Sequence, residues 1–256
     1  MNAIGWNCRG VGSPHTIRVL KKMVKSHKPD LLYLSETLAE ENKIEALALT
    51  PGFVNFFSNY LDIIIKGNGG EWRLTCFYGF PEKERRQDSW DLLRTLATRN
   101  HLPWCVLGDF NDLMYASDKK GRRNHSQRMM DGFRKAVDDS SLIELNLQGG
   151  DYTWEKSKGT TKWVRERLDR CFTNGSWWSK FPLCTLTVFH TSVSDHDPIK
   201  LELLNTFISK KQFRFRFENT WLKESNFHKE VIGYWKKLPA VHLLPKLLAI
   251  SSFMAK

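Results

Sequence analysis

The sequence predicts a sheet-based α/β or sandwich domain, and three observations carry that prediction. Short apolar runs of strand length recur along the chain, amphipathic stretches separate the early ones, and polar residues collect where the runs end. The clearest case is Leu107-Gly108-Asp109-Phe110-Asn111, where the apolar run Cys105-Val106-Leu107 passes into a glycine turn that carries a carboxylate and a carboxamide. On an extended backbone, side chains two residues apart leave the same face, so Asp109 and Asn111 could meet at one phosphate or one activated water. Gly, Asp and Asn equally suit a capped turn, so the stretch gains meaning only from partners elsewhere in the chain.

The elements follow in order. Ala3 to Asn7 reads as a strand ending in the polar turn Asn7-Cys8-Arg9-Gly10. Ser13-Pro14 supplies an N-cap and a first-turn proline, and Ile17, Leu20 and Val24 recur at helical spacing, which predicts a helix over 14–26. Leu31 to Leu34 is a doubly buried strand that ends in Ser35-Glu36-Thr37, and a short helix bearing Ile44 and Leu47 follows it. Residues 61–78 read as a hairpin turning at Gly67-Asn68-Gly69-Gly70, with the return arm ending in Phe77-Tyr78-Gly79. Trp90, Leu93 and Leu96-Ala97 mark a helix over about 87–99 before the Cys105 strand. Residues 118–125 read as a basic loop, and Ser126 caps a helix bearing Met129, Met130, Phe133 and Val137. Strands are then expected at 142–145, 152–154, 163–172, 183–189 and 198–203, two of them interrupted by Leu168-Asp169-Arg170 and Ser194-Asp195-His196-Asp197. Beyond Leu204, Phe213 to Phe217 alternates strictly, and Trp221, Phe227, Val231 and Trp235 suggest a helical stretch in a linker or further module.

Size and composition bound what such a chain can do. Its 256 residues, 41% hydrophobic, suffice for one large core or for one core and a tail. The net charge of +11 favours a polyanionic partner, and residues 205–256 concentrate it, with ten Lys/Arg against three Glu. An affinity for DNA that falls steeply with salt is the expectation for such a tail. The five cysteines are odd in number and scattered, without a C-x-x-C pair, which argues against a disulfide framework or zinc site and for a reduced, nuclear or cytoplasmic protein. No apolar run reaches the roughly 20 residues of a membrane span, and no signal peptide precedes the first strand.

Six strand ends thus present Asn7, Glu36, Tyr78, Asp109 with Asn111, Asp169, and Asp195-His196, which can converge on one rim of a sheet-based fold. Each has a plainer reading: a turn for Asn7, a half-buried aromatic for Tyr78, a surface pair with Arg167 or Arg170 for Asp169. Glu36 resists one, because a carboxylate directly after four apolar residues is costly unless a cation offsets it.

Taken together, Trp6-Asn7-Cys8-Arg9-Gly10, Leu34-Ser35-Glu36-Thr37, Tyr78-Gly79, Gly108-Asp109-Phe110-Asn111, Tyr152-Thr153-Trp154, Arg167-Leu168-Asp169 and Ser194-Asp195-His196-Asp197 resemble, in order, the motifs of the endonuclease/exonuclease/phosphatase superfamily. The wording is most similar to the endonuclease domain of plant LINE-type non-LTR retrotransposons. The resemblance implies an α+β, DNase I-like, four-layer α/β sandwich of two packed, mostly antiparallel sheets flanked by helices, over residues 1–204. Residues 205–256 would then be a basic, partly helical tail of the kind that precedes a reverse transcriptase, which is absent here. It further implies Glu36 as principal ligand of Mg²⁺ or Mn²⁺, with Asn7 and Asp195 beside the same ion. Asp109 would activate the attacking water, Asn111 and Tyr78 would hold the phosphate, His196 would contact a phosphoryl oxygen while fixed by Asp169, and Thr153 would line the substrate wall.

Two departures bear on activity. Ser35 stands where much of the family has Gln, and the short span between Leu49 and Leu61 leaves no room for a strand that relatives place there, so the sheet is expected to be missing one strand. The reading is therefore a DNA-nicking, divalent-metal-dependent phosphodiester hydrolase. An inactive, truncated remnant that at most binds nucleic acid and a phosphomonoesterase or inositol-phosphate phosphatase are the alternatives.

Overall fold

A computed structural model describes residues 1–38, 59–67, 69–121, 124–203, 226–238 and 250. The helix expected around Ile44, the missing strand, the turn residue Asn68 and the alternating Phe213 to Phe217 segment all lie outside the described residues. The chain divides into two compact units, residues 1–180 with 184–203 and residues 181–183 with 204–256. Within the second, the helix Phe227–Lys237 is described. No described helix is long and apolar enough to cross a membrane.

The first unit contains two five-stranded sheets. One is built from β1 (Asn2–Asn7), β2 (Leu31–Ser35), β8 (Leu147–Gln148), β12 (Thr185–Val188) and β13 (Ile199–Glu202), in the order β2-β1-β13-β12-β8. The other is built from β3 (Tyr60–Gly67), β4 (Gly70–Tyr78), β5 (Trp104–Asp109), β7 (Leu142–Glu144) and β11 (Asp169–Asn174), in the order β3-β4-β5-β11-β7. Both sheets are mixed: the first divides evenly, with β1 parallel to β2 and β12 parallel to β8, while in the second only β4 with β5 is parallel and the other pairs are antiparallel. The sheets pack face to face: a Cβ on Gly5 of β1 would meet the Leu107 side chain of β5 at 3.5 Å.

Helices close the outer faces. In α1 (Pro14–His27) the Ser13 hydroxyl accepts from the His15 N–H, and Lys28 ends the helix in the left-handed conformation with φ 44°. Leu20, Met23 and Val24 of α1 pack on Ile4, Trp6, Leu32 and Leu34 of the first sheet. On the second sheet, α2 (Arg86–Ala97) and α3 (Gln127–Asp139) bury Trp90, Leu93, Leu96, Phe133 and Val137 against Phe77, Trp104, Val106 and Phe172. The result is a helix-sheet-sheet-helix sandwich, the DNase I-like α+β architecture the motifs imply.

Local departures from the sequence reading have physical causes. Lys119–Gly121, expected in a loop, forms β6 and pairs with β10 (Val164–Glu166), which in turn pairs with β9 (Trp154–Lys156). Asp118 organises that excursion by accepting from the Met114 and Tyr115 N–H groups and from the buried Arg170 guanidinium at 2.5 Å. The strand expected over 163–172 breaks at Arg167 and Leu168, because the Arg167 N–H turns to the Asp118 carbonyl and Leu168 donates to the Thr153 hydroxyl. Ser126 precedes α3 as expected, but its hydroxyl makes no capping bond. A short helix, α4 (Gly175–Lys180), follows β11 where no helix is predicted.

Two glycines fix how the site strands approach one another. Gly108 in β5 has φ 149°, and a Cβ there would lie 2.0 Å from the Phe77 carbonyl oxygen of β4. At Gly79 a Cβ would lie 2.4 Å from the Phe110 carbonyl oxygen. A side chain at either position therefore has to push two backbones apart. Gly108→Ala is expected to lower unfolding stability by about 2–4 kcal/mol, read from urea denaturation midpoints; an unchanged midpoint would refute this account of the β4–β5 approach.

Candidate active site

The ends of β1, β2, β4, β5 and β11 and the loop before β13 meet at one rim, where they bring most of the sequence-predicted site residues together. Their geometry begins in the backbone. After β1 and β2 the chain turns through Arg9 and Glu36, both non-glycine residues at positive φ, 46° and 50°. The two turns are tied to each other by Cys8 N–H to the Ser35 carbonyl, Gly10 N–H to Glu36 at 2.8 Å and Val11 N–H to Thr37 at 2.9 Å. Left-handed non-glycine residues cost on the order of 1 kcal/mol or more each and persist where surrounding bonds over-determine them. Here the ladder of three bonds does so, and both side chains face the rim.

Asn7, at the end of β1, is buried and joins two carboxylates. Its Nδ2 donates to Glu36 Oε1 at 2.9 Å and to Asp109 Oδ2 at 3.0 Å. The Tyr78 hydroxyl donates to the same Glu36 oxygen at 2.7 Å. Burial and the Glu36 carboxylate hold the Tyr78 phenol well above its usual range, so it is a neutral donor. Asp109 is 1% exposed and lies at the tip of β5. Burial pushes its carboxyl up to about 6, against the lowering pull of His196 and of the hydrogen bonds from Asn7 and the Asn111 N–H.

His196 completes the buried part. Its Nδ1 lies 3.0 Å from Asp169 Oδ2 and 3.7 Å from Asp109 Oδ2, and its backbone carbonyl accepts from Trp6 Nε1 at 3.0 Å. Burial disfavours the imidazolium, but the charges of Asp169 and Asp109 and the Asp169 hydrogen bond outweigh it and push the ring up to about 9. His196 is therefore the cation set between two carboxylates at neutral pH.

Asp195 stands on the more open side. Its Oδ2 accepts from Trp154 Nε1 at 3.0 Å, while its buried Oδ1 accepts no hydrogen bond. That oxygen, free of hydrogen bonds but ion-paired with Arg9 Nε at 3.2 Å, and Glu36 Oε2, 3.3 Å from the same nitrogen, form a pair of hard oxygen donors on one side of the rim. Hard carboxylate oxygens of this kind suit Mg²⁺ or Mn²⁺. Asn7 turns its amide N–H groups toward the carboxylates, so in this arrangement it orients Glu36 rather than facing it with oxygen. Asp109, Asp169 and His196 form a second group whose ligand atoms all lie within 4.8 Å of one another. The imidazole between the two carboxylates already supplies this group with a counter-charge.

Two expectations need correction. Asn111 does not continue an extended strand beside Asp109: it has φ 52°, its N–H donates to Asp109 Oδ1 at 2.8 Å, and its Nδ2 donates to the Gly79 carbonyl at 2.9 Å. Thr153, expected on a substrate wall, turns its hydroxyl inward to the backbone instead. Its hydroxyl accepts from the Leu168 and Asp169 N–H groups at 3.1 and 2.9 Å, which places it behind the site as the support of Asp169. Three neighbours went unassigned in the sequence reading: Arg9, Trp154 and Ser194, whose hydroxyl donates to the Asn7 carbonyl at 2.9 Å and accepts from the His196 N–H. All three sit inside motifs that the sequence does show.

A family model described as Endonuclease/Exonuclease/phosphatase family matches residues 4–196. Among solved structures, the chain is similar to the 3′ phosphatase NExo from Neisseria bound to a product DNA hairpin, at 14% identity over 80% of this chain and 99% of that one, TM-score 0.57. It is similar to the endonuclease domain of TRAS1, a telomere-specific non-LTR retrotransposon, at 16% identity over 79% and 97%, TM-score 0.52. It is also similar to sphingomyelinase C from Streptomyces griseocarneus, at 12% identity over 78% and 98%, TM-score 0.56. At these identities the likeness is one of fold. No curated protein matches the chain.

The raised imidazole offers a direct check. In chelator-treated protein the His196 ring is expected to titrate near 9 by NMR, and Asp169→Asn to lower that midpoint by about one unit or more. A pKa raised above 6.5 contributes stability that is complete below 6.5 and lost as pH rises through 9. A ring titrating near 6.5 in both proteins would contradict the pairing.

Proposed function

The chain belongs to the endonuclease/exonuclease/phosphatase family, and from that premise we propose that it is a divalent-metal-dependent DNA endonuclease that nicks by hydrolysing a phosphodiester. The observation that carries this reading is the Asn7 carboxamide joining Glu36 to Asp109 beside the His196–Asp169 pair. That arrangement sets a base, a cation and a pair of hard oxygens around one space.

Asp109, with its carboxyl near 6, is ionised at neutral pH yet basic enough to take a proton from an attacking water. The Asn7 amide and the Asn111 N–H fix its two oxygens, so its orientation does not depend on substrate. His196 is the charged donor to a non-bridging phosphoryl oxygen, and Asp169, held by Thr153, keeps the ring in place. Tyr78 donates on the same side. Glu36 and Asp195 would hold Mg²⁺ or Mn²⁺, which supplies Lewis-acid stabilisation of charge on the phosphoryl and leaving oxygens. Asn111, engaged with Gly79, shapes the wall next to Asp109.

DNA as substrate is supported by the net charge of +11 and by the fold shared with a DNA-bound 3′ phosphatase and a retrotransposon endonuclease domain. The finer assignment, to an element of plant LINE type, rests on the wording of Trp6 to Gly10, Phe77 to Gly79 and Gly108 to Asn111.

The chain with Mg²⁺ is expected to convert supercoiled plasmid to open circles, EDTA to stop the reaction, and Asp109→Ala to slow it by roughly 10²–10⁴-fold. Equal nicking by wild type and Asp109→Ala would refute the reading. Turnover of a soluble phosphomonoester without nicking would replace it with a phosphatase.

A further inference from the structure

Arg9 occupies a place that none of the proposed chemical roles explains. Its Nε lies 3.3 Å from Glu36 Oε2 and 3.2 Å from Asp195 Oδ1, so one guanidinium nitrogen spans the two carboxylates that come from the ends of β2 and the loop before β13. A surface ion pair formed by chance needs no special backbone. Arg9 instead holds a left-handed conformation with φ 46°, pinned on both sides by the Cys8 and Gly10 bonds to the β2 turn. Its side chain is 48% exposed, against 21% for each partner, so its outer part reaches solvent while its inner nitrogen reaches the acids.

We propose that Arg9 is a built-in counter-cation for the ion site: it neutralises Glu36 and Asp195 in the metal-free protein, competes with the divalent ion for their oxygens, and so sets that ion's affinity. The proposal rests on the reading of Glu36 and Asp195 as the ion's ligands. A divalent ion binds carboxylate oxygens at about 2.0–2.6 Å. The room between these two oxygens is the room the Arg9 nitrogen now fills, and a guanidinium, always protonated, cannot become a ligand. Binding of the ion therefore requires Arg9 to withdraw, and its half-exposed side chain has an open path to do so. In the metal-free state Arg9 also prevents the uncompensated approach of two carboxylates, which would otherwise repel each other across a low-dielectric rim.

The test is Mn²⁺ binding to the chelator-stripped full chain, followed by calorimetry, for wild type, Arg9→Gln, Arg9→Lys and Glu36→Gln. Arg9→Gln is expected to bind Mn²⁺ roughly tenfold more tightly than wild type, the scale of releasing two partly exposed ion pairs. Arg9→Lys, which keeps the charge, should stay within about threefold of wild type, and Glu36→Gln should bind more weakly. Equal or weaker binding by Arg9→Gln, with wild type binding and Glu36→Gln impaired, overturns this proposal alone. Failure of wild type to bind Mn²⁺, or equal binding by wild type and Glu36→Gln, overturns both the ligand assignment and the proposal. An independent readout in wild type avoids the question of variant folding: the Arg9 Nε–H NMR signal should move and lose protection from exchange as Mg²⁺ saturates the site, and a signal unchanged at saturation overturns displacement.

Discussion

The carboxamide of Asn7 links the two halves of this sandwich at their most highly charged point. Glu36 belongs to the end of one sheet and Asp109 to the end of the other, and Asn7 donates to both. A buried carboxylate, Asp109, and a partly exposed one, Glu36, from facing sheets would drive the rim apart unless donors and cations stood between them. Every other feature of the site follows from meeting that demand. His196 is held between Asp109 and Asp169, Arg9 is drawn between Glu36 and Asp195, and Tyr78 directs its hydroxyl to Glu36.

The fold meets the demand by spending local strain at the rim and burying apolar surface elsewhere. Arg9, Glu36 and Asn111 all take left-handed conformations, and Gly108 and Gly79 let backbones approach within distances no side chain allows. The ordered bulk lies behind them, in Trp6, Leu20 and Leu34 on one outer face and Trp90, Phe133 and Phe172 on the other. A second buried network serves that bulk. Arg73 is 1% exposed and makes a bidentate bond to Asp62 at 2.8 Å for each oxygen. Its third contact, NH1 to the Leu96 carbonyl at 2.7 Å, ties the β3–β4 hairpin to the end of α2. Unlike the rim acids, this pair is saturated by its own partners, which marks it as structural.

Much of this was legible in the sequence, for identifiable reasons. The helix at 14–27 announces itself through Ser13, Pro14 and a 3–4 spacing of apolar residues, and Leu31 to Leu34 reads as doubly buried because no polar residue interrupts it. The gathering of Asn7, Glu36, Asp109, Asp169 and His196 was visible as a repeated event, a polar residue at the end of an apolar strand. What pattern could not reveal was direction. Thr153 lies in the expected motif but points inward to the Leu168 and Asp169 amides, and Asn111 turns left-handed to reach Gly79. Arg9 reads only as part of the polar turn Asn7-Cys8-Arg9-Gly10, because a single sequence carries no sign of which carboxylates a long side chain will meet. Lys119–Gly121 reads as loop in sequence because its strand character comes from pairing with β10 and from the Asp118–Arg170 contact, both distant in sequence.

The central claim is that Glu36 and Asp195 form the ion site, while Asp109, Asp169 and His196 form the proton and phosphate site beside it. Anomalous diffraction from crystals soaked in Mn²⁺ separates these two places directly. The account predicts a single peak about 2.1–2.3 Å from oxygens of Glu36 and Asp195, with the Arg9 side chain moved away from both. A peak among Asp109, Asp169 and His196 instead, or no peak at saturating Mn²⁺, would contradict it.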